Sequence, residues 1–460
     1  MTAVSTEYAW KALGGAPELL ARVSVVARHG ALPAVLPVRE LARACVGACG
    51  LAAAELGARR AGRAEVPEVR VDDGAVATAF VSERHLTVDG RRTAPFAPLS
   101  RFWPTADGWV RTHANYPHHQ ARLLGALGLA ADASAEDLGR CLAERSARET
   151  EDTVHAAGGL AVAVRTPGEW AGHAQGRAAA AGPLVRREVI GEGPGRRLTG
   201  SAGLPAAGVR VLDLTRVTAG PVATRTLALL GADVLRVDAR GLPELPDQHA
   251  DTGFGKRSAV LDLGDRTDRR TFEELLAGAD VVVTGYRPGA LDRYGLGAGA
   301  LAERRPGLVV AQLSAWGADG PWAGRRGFDS LVQAATGTAV IEGAPGRPGA
   351  LPAQALDHGT GYLLAAAVLR CLTERLEEGG TRLVRLALAR TAAWLTCGAV
   401  DGAGFSGHGL VYDRPDPYLA ATDSPLGRLR YALPPVSFAG GPGDWTRPPG
   451  PWGADEARWA

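Results

Sequence analysis

The residue best placed to do chemistry is an aspartate just ahead of a long apolar helical stretch. It is Asp357, in Ala355-Leu356-Asp357-His358-Gly359-Thr360-Gly361. An aspartate in that position reads first as a helix N-cap, its carboxylate accepting backbone N–H bonds. Those bonds and the helix dipole would hold it ionised, which is also what a carboxylate nucleophile needs. Leu363, Leu364, Ala367, Val368 and Cys371 give the following helix an inward face that fixes the aspartate in place. A related segment near the N-terminus lacks the group. Sliding residues 36–80 onto 351–395 sets Leu36-Pro37 on Leu351-Pro352 and Val69-Arg70-Val71 on Val384-Arg385-Leu386, with Ala42 opposite Asp357. The chain thus reads as an internal duplication with one chemically competent half.

A second set of residues suits an anionic ligand. Arg216 lies in Thr215-Arg216-Val217-Thr218-Ala219-Gly220-Pro221, a loop between a strand pattern and a helix pattern, where phosphates meet helix N-termini. Arg236, Lys256, Arg257, Arg287 and Arg293 recur at comparable ends of later elements. Forked guanidinium donors around one crevice would match several phosphates. Spacing alone also allows plain solvated surface arginines. The loop lacks Gly-x-Gly-x-x-Gly, so a nicotinamide dinucleotide is disfavoured although Asp238 could imitate a ribose-binding acid. His113, His118 and His119 have a zinc-like spacing but no cysteine or carboxylate completing the set, so no metal is expected. No Gly-x-Ser-x-Gly elbow suggests a serine hydrolase, and no basic-aromatic stripe suggests nucleic acid.

These residues need an α/β frame. Val209-Arg210-Val211-Leu212-Asp213-Leu214 reads as a strand, Pro221 to Leu230 as a helix, and Ala232-Asp233-Val234-Leu235-Arg236-Val237 as a second, parallel strand. Strand patterns at residues 280–283 and 308–313 continue the sheet. The expected organisation is a degenerate partial copy of the large domain over 1–95, a small α+β domain over 96–190, and a linker over 191–206. The large, Rossmann-like domain follows over 207–401, and a partial small-domain-like segment over 402–460 wraps other structure. The linker texture, rich in Gly, Arg and Pro, already begins near Arg186. The chain has 51 Lys and Arg against 49 Asp and Glu, so bulk charge calls for neither nucleic acid nor a membrane, and any anion site must be local. Lysine occurs only at Lys11 and Lys256. Five scattered cysteines without paired spacing, no signal-like start and no long apolar run give a cytoplasmic expectation.

Several segments in order resemble the class III CoA-transferases, the CaiB/BaiF family that includes formyl-CoA transferase and α-methylacyl-CoA racemase. They are Val211-Leu212-Asp213-Leu214-Thr215-Arg216, Leu229-Leu230-Gly231-Ala232-Asp233-Val234, Gly255-Lys256-Arg257-Ser258, Tyr286-Arg287-Pro288-Gly289, Ser314-Ala315-Trp316-Gly317 and Gly327-Phe328-Asp329-Ser330. The resemblance implies that coenzyme A is bound as a substrate by Arg216, Arg236, Lys256, Arg257, Tyr286, Arg287 and Arg293, with no prosthetic group. It puts Asp357 at the family's catalytic aspartate. That carboxylate would attack an acyl-CoA to give an acyl-aspartyl anhydride, the thiolate would return to form an aspartyl-CoA thioester, and CoA would pass to a small carboxylic acid. Gly359, Gly361 or the loop from Gly343 to Gly349 would close over the intermediate.

Phe328 stands where the family's racemases carry a histidine base and its transferases commonly a tyrosine, which speaks against racemisation unless His358 substitutes. An acyl-CoA racemase and an inactive CoA-binding scaffold remain the alternatives. The order of parts also differs from the family, whose large domain normally precedes the small one. Family dimers are interlocked, with the site between two subunits. This chain is therefore expected either as a homodimer or as a single-chain pseudo-dimer whose residues 96–190 complete its own site.

Overall fold

The computed structural model describes residues 3–93, 96–193, 203–397 and 411–460. A seven-stranded sheet runs in the order Arg257–Val260, Asp233–Asp238, Arg210–Leu214, Val281–Thr284, Val309–Ser314, Thr381–Ala387, Arg186–Gly191. The first six strands pair in parallel, and the last closes one edge antiparallel. Alternate residues feed two cores. Val211, Val234, Val281 and Val309 face one with the long helices, while Leu212, Leu235, Val282 and Val310 face the other with Phe272, Leu275 and Leu301. The expected α/β class and its β-α-β unit are present, with helix Ala219–Leu229 between parallel strands. Arg186–Gly191 is a finding against expectation. Its composition reads as linker, yet it pairs with Thr381–Ala387; most of the 191–206 linker, residues 194–202, lies outside the described residues.

Two helices occupy the centre, Val38–Arg60 and Ala355–Glu378, packed on each other. Both are buried nearly all round, so neither has a strong polar face. Val38–Arg60 is long and apolar enough to cross a membrane, but here it is a core helix. Gly359 and Gly361 sit within the second helix instead of in a lid. A Cβ at Gly361 would come 2.5 Å from the Ala219 carbonyl oxygen, so glycine permits close packing on helix Ala219–Leu229, while Gly359 faces Leu41 and Cys45. The Gly343 to Gly349 loop is a tight turn closed by an Ala344–Arg347 bridge and held by the Trp109 indole, which donates to the Gly346 carbonyl at 3.1 Å.

Between residues 102 and 163 lies an antiparallel sheet of Phe102–Pro104, Trp109–Thr112 and Ala161–Ala163 under helices Pro117–Ala126, Ala135–Ala143 and Ala147–Ala156. At the N-terminus, Val23–Val26 and Val69–Asp72 pair in parallel. The C-terminal strands Leu419–Ser424 and Gly427–Ala432 join Thr87–Val88 and Arg91–Arg92 in one sheet. Beyond them the chain wraps the large sheet, its Trp445, Trp452 and Trp459 indoles donating to the Arg225 carbonyl, the Asp238 carboxylate and the Leu275 carbonyl. The expected boundaries at 95 and at 401–402 fall outside the described residues.

Candidate active site

Parallel strands all end on one side, and their following loops build the ligand edge of such a sheet. Here the loops after Arg210–Leu214, Asp233–Asp238, Val281–Thr284 and Val309–Ser314 line a crevice of about 580 Å³, within the usual range for ligand sites. Arg216, Tyr286, Arg287 and Arg293 lie on its wall. So do Arg122, Arg325 and Arg326. Tyr116, His118, His119 and Arg122 come from residues 96–190, so one chain supplies both walls. A smaller cavity of about 260 Å³ continues from Tyr286 and Arg287 toward Trp316 and Arg390.

The loop carrying Arg216 is held under strain. Val217 has φ +70°, a left-handed conformation that a β-branched residue adopts only when its surroundings enforce it. Glu244 does the enforcing: its carboxylate accepts from the Val217 N–H at 3.0 Å and from the Tyr116 hydroxyl, and it pairs with Arg236 at 2.9 Å and Arg216 at 3.6 Å. Burial would push Glu244 up, but Arg236, Arg216 and the Tyr116 hydroxyl outweigh it and bring its pKa to about 2. A buried glutamate thus ties the anion loop to the small domain.

Three expected ligand residues are elsewhere. Arg236 is almost fully enclosed and held between Asp238 and Glu244. Lys256 is buried against Asp213 and the Pro221 carbonyl, both at 3.0 Å, and burial lowers its pKa to about 8. Arg257 lies at the opposite end of the sheet, bonded to Asp233 at 2.7 Å and to the Arg458 carbonyl. None of the three lines the crevice. Arg236 and Lys256 stiffen the strand ends beneath Arg216.

Asp357 occupies the third residue of its helix, not the N-cap. Gln354 is the cap, and its side chain makes no capping bond. Asp329, at the start of helix Asp329–Ala335, takes over that role from outside: its carboxylate accepts the Asp357 N–H at 2.9 Å, and the Gln333 amide donates to its other oxygen. Capping by a carboxylate puts two buried acids side by side. Burial and the Asp329 charge push Asp357 well above the ordinary range, where the sequence suggested a carboxylate held ionised. Burial likewise lifts Asp329 to about 6, against the bonds from Gln333 and the helix N–H groups. Two buried acids placed so close each raise the cost of ionising the other.

Phe328 connects this pair to the crevice. It lies on the crevice wall next to Asp329 in sequence, and the His113 ring stacks on it at 3.9 Å and 2°. Burial pushes His113 and His119 down to about 3, so both are neutral. No cluster of three metal-ligating side chains occurs among the described residues. His358 is buried and stacks on Phe80, on the side of the N-terminal half. Asp329 and Glu244 are the acids that sequence reasoning missed. Asp329 had a signal, since it lies in Gly327-Phe328-Asp329-Ser330, whereas Glu244 in a polar loop had none.

Residues 206–408 match the model for CoA-transferase family III. The chain is 35% identical over 211 residues to the probable fatty acyl-CoA transferase Rv3272 of Mycobacterium tuberculosis, covering 43% of this chain and 54% of that one. It is 35% identical over 193 residues to formyl-CoA:oxalate CoA-transferase of Streptomyces coelicolor, covering 39% and 47%. A crystal structure of Rv3272 aligns with TM-score 0.40 and 34% identity over 42% of this chain and 58% of that one. The chain spans about half the length of these curated relatives.

Proposed function

We propose, from the match of residues 206–408 to CoA-transferase family III, that the chain is an acyl-CoA:carboxylate CoA-transferase with Asp357 as nucleophile. The observation that carries the reading is the buried Asp329–Asp357 pair set one residue behind an arginine-lined crevice. In the proposed cycle the Asp357 carboxylate attacks the donor thioester carbonyl, the C–S bond breaks, and an acyl-aspartyl anhydride and CoA thiolate result. The thiolate attacks the aspartyl carbonyl, releasing the donor's acid and leaving aspartyl-CoA. The acceptor carboxylate attacks that thioester to give a second anhydride, and the returning thiolate takes its acyl group, restoring Asp357. Burial serves this chemistry twice. It raises the basicity of the ionised Asp357, and it keeps water from the anhydride. Arg122, Arg216, Arg287, Arg293, Arg325 and Arg326, with Tyr286, would hold the CoA phosphates.

The N-terminal half would be the scaffold of a single-chain pseudo-dimer. Glu55 and Arg370, which the sequence alignment superposes, bond to each other across the two central helices. Positions related by a two-fold axis meet themselves in that way. The order of long helix, strand and short helix also occurs in both halves, as Val38–Arg60, Val69–Asp72 and Asp73–Ala79 and as Ala355–Glu378, Thr381–Ala387 and Leu388–Leu395.

The reading is tested by following exchange of CoA between a panel of acyl-CoAs and carboxylic acids. Exchange should appear for at least one pair and fall by roughly four orders of magnitude or more in Asp357→Ala. Exchange of the acyl α-proton with D2O and no CoA transfer would mean a racemase. CoA binding unchanged by Asp357→Ala, with no reaction at all, would mean a scaffold.

A further inference from the structure

Asp329 has a second charged neighbour besides Asp357, and it comes from residues 96–190. Arg111, in strand Trp109–Thr112, is 7% exposed. That strand packs on helix Asp329–Ala335. Arg111 makes no side-chain hydrogen bond or ion pair with any described residue, and its Nε is enclosed without a partner. Its guanidinium lies over the Phe96 and Phe102 rings, 5.1 and 5.0 Å from their centres, and these offer no acceptor. Beside it stands His113, 4% exposed, its Nδ1 also enclosed without a partner.

Among the described residues this is an exception. Every other buried arginine faces a carboxylate: Arg165 faces Glu151, Arg225 faces Asp251, Arg236 faces Asp238, Arg370 faces Glu55, Arg375 faces Asp280, and Arg382 faces Glu374. A guanidinium taken out of water without a paired acid is costly, and a fold that pairs all the others has left this one open. Asp329 is the acid whose charge reaches it, but the two form no ion pair. Two acids crowded at Asp329 and Asp357 would repel a further anion. A forked cation with unmet donors beside them offsets that repulsion and matches a carboxylate in shape.

We propose that Arg111, with His113 beside it, is the receptor for a substrate carboxylate next to the Asp329–Asp357 pair. The proposal rests on the CoA-transferase reading. The carboxylate belongs either to the free acceptor acid or to the far end of a donor's acyl chain, and the two sources share one chemistry. Arg111 is the small domain's contribution to acid recognition, whereas the crevice arginines serve the CoA.

Titration calorimetry on the full chain tests this with acetate and succinate as free acids. A second arm uses acetyl-CoA and succinyl-CoA on an Asp357→Asn background, which prevents turnover. The expected result for Arg111→Met is a loss of affinity of roughly 30-fold on one arm, the size of a charge-assisted hydrogen bond. A loss for free acids assigns the subsite to the acceptor, and a loss for succinyl-CoA relative to acetyl-CoA assigns it to the donor. Unchanged affinities on both arms, or no affinity of the parent protein for any of the four probes, overturn the proposal. Retained CoA binding checks the fold of the variant. Arg111→Lys, which keeps the charge but loses the fork, carries the same test with a smaller loss where the methionine variant does not fold. Trapping of an acyl group on Asp357 needs no acceptor, so it judges the CoA-transferase reading separately.

Discussion

The two central helices are built from similar sequence and do different work. Ala355–Glu378 carries Asp357 in its first turn and begins beside Asp329, an acid from another helix whose neighbour Phe328 lines the arginine-rich crevice. Val38–Arg60 has Ala42 at the matching place, fully enclosed, and the chain leading into it is held by Glu342, which accepts the Val35 and Leu36 N–H groups at 3.0 and 2.8 Å. Both helix starts thus use a carboxylate from the 329–342 segment. Only one of them leaves a second acid inside. The lesson is that an aspartate at a helix start is cheap as a cap and costly as a buried neighbour of another aspartate, and the costly arrangement is the one for which we propose a chemical use.

Installing the aspartate in the other helix should break the likeness. Ala42→Asp places a carboxyl in a fully buried apolar site without an arginine-lined crevice, and we expect a loss of stability of about 3 kcal/mol by denaturant unfolding, with no rescue of Asp357→Ala. Recovery of exchange in the double variant would show that the two halves are interchangeable.

Removing the second acid sharpens the comparison. Asp329→Asn keeps an oxygen for the Asp357 N–H but deletes the charge that helps to raise Asp357. On the proposed reading the ionised Asp357 is the nucleophile, so the rate should fall as pH drops through its raised pKa. Without Asp329 that acid limb should move to lower pH, as measured from kcat/KM profiles. A limb that stays in place would remove Asp329 from the account of Asp357.

The smallest effect separates crevice cations from buried ones. Arg287 is exposed on the wall, so Arg287→Ala should raise the KM for acyl-CoA about fivefold and leave the thermal midpoint unchanged. Lys256→Met, in contrast, leaves Asp213 buried without its cation and should act through stability. Equal KM effects from both would return Lys256 to the ligand set.

Much of this was legible in the chain. The strand patterns found the middle of the sheet because parallel strands are continuous apolar runs, and the loop at Arg216 was located by its strand and helix neighbours. Asp357 was singled out by its place before a long helix. What failed depended on partners distant in sequence. Arg236 lies within its strand and Lys256 just before the start of another, where Asp213, Asp238 and Glu244 hold them inside. Asp357 is not the cap because Asp329, 28 residues earlier, fills that role. Gly359 and Gly361 read as hinges, yet they mark where two other helices come close. Arg111 had no local signal at all; only the missing acid beside it in the folded chain sets it apart.

The most direct test of the central claim is to mix the protein with acyl-CoAs in the absence of acceptor, quench with hydroxylamine, and map the modified peptide by mass spectrometry. The account predicts a hydroxamate on Asp357 and nowhere else, absent in Asp357→Ala and unaffected by replacing any acid of the Ala42 half. A modification at another residue, or acyl transfer that proceeds without any adduct on Asp357, would contradict it.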